Sequence, residues 1–184
     1  MLSAELRRYM TGRSWHKGCP TALDDLRLVV VRFLDFDGNP AVGRAVVHRL
    51  HAAKIARVLE ILYEKKFPLA RLDLVDDFDG NDDLSTAANN SSGFNCRRVA
   101  GSKSWSQHAY GAALDLNPLQ NPYVRVDGTV LDSNAKPFVD RSVAATGLIA
   151  KDSSVVGAFA SIGWRWGGDW KRTKDYQHFS ASGR

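Results

Sequence analysis

The chain has 184 residues, 44% hydrophobic and 24% charged, a balance that excludes a disordered chain and is enough to bury the core of one domain. A net charge of +5 and a pI near 9.4 favour anionic surroundings, whether nucleic acid, membrane surface or bacterial cell wall. The basic residues form no tract and no aromatic-basic ladder, so nucleic-acid binding is not expected, and no apolar run is long enough to cross a bilayer.

Residues 1–25 carry Gly12, Gly18 and Pro20 and are expected to wrap irregularly over the surface. The first residues lack the basic-then-apolar layout of a secretory signal, which points to a chain not exported by that route or to a missing leader. Leu26 to Phe36 is rich in Val and Leu and reads as a strand; Asp37-Gly-Asn-Pro40 is a turn, and Ala41 to Val47 returns as the hairpin partner. From His51 to Lys66 the period changes, with Ile55, Val58, Leu59, Leu62 and Tyr63 on one helix face. Phe67-Pro68 ends that helix, and Leu69 to Val75 alternates as a further strand. Asp76 to Gly93 is acidic and polar and is expected to be a long loop, solvated or acting as a lid; it lacks the terminal Glu of an EF-hand calcium loop. Ala113 to Asn117 reads as a short core strand closed by Pro118, residues 118–150 as a second long excursion, and Val155 to Ile162 as a short helix.

Two cysteines, Cys19 and Cys96, are either two buried thiols or one disulfide suited to an oxidising compartment. His16, His48 and His51 read as structural histidines. The chemistry concentrates in Ser106-Gln-His108-Ala-Tyr-Gly111-Ala-Ala113-Leu-Asp115 and in Asp175-Tyr-Gln-His178. Two imidazoles and a carboxylate can hold one metal ion and leave a fourth position open, which is the requirement of a catalytic zinc site. The seven-residue spacing of His108 and Asp115 is too wide for adjacent turns of one helix. It places the His on a loop, Gly111 at a bend and Asp115 on a strand, with His178 closing the site from far along the chain. Non-haem iron oxygenases use the same ligand types with His and carboxylate two residues apart, so zinc is favoured. Asp175 supplies a second carboxylate able to move protons beside the metal.

The first segment matches S-x-H-x-x-G-x-A-x-D in full, and D-x-x-H-F follows a Trp/Gly-rich stretch. From about Phe94 to Phe179 the chain resembles the zinc D,D-carboxypeptidases and L-alanyl-D-glutamate endopeptidases that cut peptidoglycan stem peptides, whose fold is shared with the signalling domain of Hedgehog proteins. The resemblance implies an α+β fold, a small and mostly antiparallel sheet with flanking helices, in a single metallopeptidase domain over residues 1–184. It implies that His108, Asp115 and His178 bind zinc and that Asp175 is the catalytic acid/base. Gly93-Phe-Asn-Cys-Arg97 resembles the family segment carrying an Arg near the substrate, which makes Arg97 the candidate to stabilise the oxyanion, with Arg98 the alternative. Ser106 either meets a ligand or substrate or caps a turn. Trp164, Trp166 and Trp170 read as core, with Trp166 the one expected to wall the cleft. Relatives often carry Glu where Asp175 stands and another Glu where Ser180 stands, so the shorter acid and the missing second Glu are departures.

The expected protein is therefore a monomeric zinc peptidase of bacterial peptidoglycan, acting in the cell wall or outside the cell, as an exported enzyme or a phage lysin. The alternative is a zinc-containing binding module of the same fold without catalysis.

Overall fold

The computed structural model describes residues 1–184. Strand β1 (Leu26–Leu34) and strand β2 (Pro40–His48) form the expected hairpin, antiparallel from Leu26 opposite His48 to Leu34 opposite Pro40. One face of this ribbon is covered along its length and the other only near Leu26 and Val46, leaving Val30 and Val42 exposed. Val29, Phe33, Ala45 and Val47 face helix α2 (Ala52–Glu64), whose Ile55, Val58, Leu59 and Leu62 are buried at the expected helical spacing. Leu26 and Val46 face the opposite way, into a smaller cluster with Leu2, Met10, Leu74, Phe94 and Cys96.

That second cluster explains why the amino-terminal segment is not irregular throughout. Residues Ala4–Met10 form helix α1, started by Ser3, whose hydroxyl accepts from the Leu6 N–H, and held down by buried Leu2 and Met10. The sulfurs of Cys19 and Cys96 are bonded to each other, with Cα atoms 5.9 Å apart, so the disulfide alternative is the one realised.

Two further expectations change. Leu69 to Val75 forms no regular strand: it makes a single bridge, Leu72 to Ser91, and an Arg44 N–H to Leu72 carbonyl bond, before a 3₁₀ turn at Val75–Phe78. Leu72 and Leu74 are buried in different clusters, so the alternation does not describe one sheet face. The acidic stretch after it is structured, with helix α3 at Asp82–Ala87 capped by the Asn81 side chain. Its two carboxylates in the first turn, Asp82 and Asp83, are where a helix favours negative charge.

The remaining sheets are small and antiparallel. Strand β3 (Ala113–Asp115) and strand β5 (Arg165–Trp166) flank strand β7 (His178–Ser180), and strand β4 (Tyr123–Val124) pairs with strand β6 (Lys174–Asp175). Helix α4 (Ser154–Ser161) packs beneath β7, where Phe159 stacks on Phe179 with ring centroids 3.9 Å apart. The architecture is α+β as expected, with the antiparallel pairing divided among three sheets rather than gathered in one.

The Cys19–Cys96 bond closes a loop across 77 residues of sequence. In the chain-entropy account a loop of that length stabilises by about 4 kcal/mol. Replacing Cys19 by Ser is expected to lower the unfolding free energy by up to that amount, with a lower denaturant midpoint and a steeper slope, measured by equilibrium unfolding.

Candidate metal centre

His108 lies in a 3₁₀ turn, Gln107–Tyr110. Ser106 precedes it, and its hydroxyl accepts from the His108 N–H at 3.3 Å, so this side chain caps the turn. Gly111 ends the turn with φ +60°. A Cβ there would lie 2.5 Å from the His48 nitrogen, which instead donates to the Gly111 carbonyl at 2.9 Å. The end of β2 is thus docked against the turn, and only glycine permits the approach.

Asp115 and His178 are placed by sheet register, directly opposite each other on β3 and β7. Ser92 exchanges two backbone hydrogen bonds with Asp115 on its other edge, at 3.0 and 2.9 Å. The next residue, Gly93, turns its carbonyl to the His108 ring, whose Nδ1–H donates to it at 2.6 Å. His178 is fixed in the same way, its Nε2–H donating to the Arg184 carbonyl at 3.1 Å. Ser180, where relatives often carry Glu, donates its hydroxyl to that carbonyl at 2.8 Å, so this position still supports the His178 ring.

Carbonyl oxygens only accept, so each ring nitrogen facing one must carry the hydrogen. The other nitrogens, Nε2 of His108 and Nδ1 of His178, then present lone pairs to each other across 3.3 Å when the rings are neutral. Asp115 adds a carboxylate, with oxygens 3.2 Å from His108 Nε2 and 2.8 Å from His178 Nδ1. With both rings neutral, three buried acceptors converge with no donor among them, an arrangement that positive charge relieves, whether a metal ion or a proton on His178. Tetrahedral ligands at zinc bond lengths stand about 3.3 Å apart, and two of the three separations match that spacing. Burial lowers the pKa of His178, yet the Asp115 carboxylate overrides it and raises the imidazole to about 9. Burial likewise opposes ionisation of Asp115, and the two imidazoles nonetheless hold its carboxyl well below the usual range. The triad His108, Asp115, His178 can hold a metal ion.

Asp175, on β6, is partly exposed as a residue, but its Oδ1 is enclosed and has no hydrogen-bond partner. Burial pushes its carboxyl up to about 6, with His178 pulling it down and Asp115 adding to the rise. A Cβ on Gly167 would stand 2.9 Å from the Asp175 Cβ, so a glycine there leaves room for the strand that carries this acid.

The arginines are placed differently from the imidazoles. Arg97 pairs through Nε with Asp82 of α3 at 2.9 Å, in a segment joined to the site by the Asn95 N–H bond to the His108 carbonyl, 3.3 Å. The guanidinium of Arg98 lies 4.1 Å from the Trp105 ring centroid. Trp166 is buried, stacked near Phe179, and donates its N–H to the Tyr176 carbonyl at 2.7 Å; it belongs to the core. The indole beside the site is Trp170, half-buried, with its ring centroid 5.7 Å from that of His178. Sequence gave no reason to prefer it, because the choice among three nearby tryptophans depends on which one the core absorbs. His16, His48 and His51 stand apart from the triad; His16 lies beside the disulfide, with Nε2 3.1 Å from the Cys96 carbonyl.

The family model described as D-alanyl-D-alanine carboxypeptidase matches residues 100–181. Over that stretch the chain is similar to the D-alanyl-D-alanine carboxypeptidase family. The match contains the whole triad and Asp175 and begins just after Arg97 and Arg98. Comparison with curated proteins and with solved structures returns no match. The resemblance read from the motif is borne out by this match, and the matched segment contains the cluster that can hold a metal ion.

Replacing His108 or His178 by Ala is expected to reduce bound metal from one equivalent to a small fraction, measured by elemental analysis after dialysis; full occupancy in either variant removes that residue from the ligand set. Gly111→Ala is expected to be destabilised by more than 1 kcal/mol and to bind metal more weakly, because the left-handed backbone and the contact with His48 both oppose a side chain.

Proposed function

We propose that this chain is a zinc peptidase hydrolysing stem peptides of bacterial peptidoglycan, acting as one monomeric domain. The observation that carries the hydrolytic reading is the enclosed, unpartnered Oδ1 of Asp175 beside a cluster that can hold a metal. A purely structural metal has no use for a second buried carboxylate, whereas peptide hydrolysis needs a proton carrier. His108, Asp115 and His178 would hold the zinc. When bound, zinc supplies Lewis-acid activation of water and of the scissile carbonyl.

The chain's own residues do the rest. Asp175 takes a proton from the attacking water and passes it to the leaving amine, a task suited to a carboxylate that burial makes more basic than an exposed one. Arg97 stabilises negative charge developing on the carbonyl oxygen, with Asp82 holding its guanidinium until substrate arrives. The carbonyls of Gly93 and Arg184 keep both imidazoles in the tautomer that faces the metal.

The net charge of +5 suits a polymer that carries carboxylates and anionic chains. The disulfide suits an oxidising compartment, which supports the reading of an activity outside the cytoplasm, at the wall.

Mass spectrometry of a purified wall preparation digested by the protein tests the reading, because new amino and carboxyl termini identify the bond. Asp175→Asn is expected to lower turnover roughly a hundredfold to ten-thousandfold while bound zinc stays at one equivalent. Zinc-loaded wild-type protein that releases no termini would instead be a binding module.

A further inference from the structure

The ladder between β4 and β6 sets Tyr123 opposite Asp175 and Val124 opposite Lys174. The Tyr176 N–H donates to the Pro122 carbonyl at 3.3 Å, so residues 122 and 176 are a hydrogen-bonded pair. In an antiparallel ladder the next pair, 123 and 175, is then of the close, non-hydrogen-bonded kind. Side chains of such a pair leave the same face with Cβ atoms roughly 5 Å apart. The following residue on β6, Tyr176, points the other way: its ring lies 5.8 Å from Trp166 and under the Arg141 guanidinium at 4.3 Å. Tyr123 and Asp175 therefore share the face turned away from that packing.

Tyr123 is 38% exposed although it stands opposite an acid whose Oδ1 is enclosed. Of the five tyrosines, only Tyr9 commits its hydroxyl within the protein, to Asp77 and to the Asp76 carbonyl. The Tyr123 phenol is a free donor. Trp170, whose ring centroid lies 5.7 Å from that of His178, has its N–H engaged by the Gly183 carbonyl at 2.9 Å.

We propose that Tyr123 contacts the substrate on the leaving-group side of the cleaved bond, its phenolic O–H donating to a carboxylate or carbonyl oxygen of the released residue. The inference rests on Asp175 as the group that protonates the leaving amine. A side chain roughly 5 Å from that acid and on its face borders the residue to which the amine belongs. An acceptor oxygen lies within a few bonds of that amine in any peptide, as a terminal carboxylate or as an internal carbonyl.

The test uses zinc-loaded Asp175→Asn protein and a stem pentapeptide ending in D-alanyl-D-alanine, with the dissociation constant read by calorimetry. Adding Tyr123→Phe is expected to weaken binding about threefold to tenfold, the worth of one hydrogen bond, and Tyr123→Ala to weaken it further. Zinc content and melting temperature should be unchanged in both, since the residue lies at the surface. Repeating the series with a carboxy-terminal amide separates the two acceptors: a penalty that disappears assigns the phenol to the terminal carboxylate, and one that persists assigns it to an internal carbonyl. Equal dissociation constants for all three proteins, or no binding by the Asp175→Asn parent, overturn the proposal. Failure of the hydrolytic reading is seen separately, in wild-type protein that releases no termini from the wall.

Discussion

Three hydrogen-bond acceptors are held in one buried spot with nothing but each other for company. Carbonyls behind the two imidazoles take up both ring N–H groups, and Asp115 contributes negative charge between the remaining lone pairs. Such a cluster is unfavourable without a positive charge at its centre, so the surrounding fold must be rigid enough to keep it assembled. Strand β7 meets that need. It lies between β3 and β5, sets His178 opposite Asp115, and is anchored from beneath by Phe179 stacked on Phe159.

The hairpin is the other half of the scaffold. Its second strand offers the Val46 carbonyl to the Phe94 N–H and the His48 N–H to the Gly111 carbonyl. One strand thereby positions both the segment that orients His108 and the turn that bears it. Two glycines make this possible, since a Cβ at Gly93 would sit 2.5 Å from the Val46 oxygen, as close as one at Gly111 would sit to His48. The motif glycine is an adaptation to neighbouring backbone as much as a bend.

Much of this was legible in the residues. Apolar spacing marked the hairpin and α2 because each buries a full face, and ligand chemistry marked His108, Asp115 and His178 because few residue types can serve. What escaped was structure whose cause lies far away in sequence. Helix α1 has only seven residues and is stabilised by a cluster that includes Leu74, Phe94 and Cys96. Leu69 to Val75 looked like a strand because its alternation is real, but the partner edge is used only once, at Ser91. Arg97 was a candidate by resemblance alone; that Asp82 pairs with it depends on a helix concealed in what read as an acidic loop. Ser106 had two readings, and the capping bond to His108 is a local geometry that spacing could suggest without choosing.

The long excursion between β4 and α4 is gathered by one side chain. Arg141 donates to the carbonyls of Gln120, Phe138 and Ile149 and to the Asn121 side-chain oxygen, at 2.7 to 2.9 Å, with no carboxylate partner. Burial lowers its pKa to about 10, which still leaves it charged throughout the acidic and neutral range. Amide oxygens do not take up protons at mild acidity as carboxylates do. This fastening is consequently indifferent to acidification that would loosen an ion pair, and the region it secures should keep its shape at mildly acidic pH.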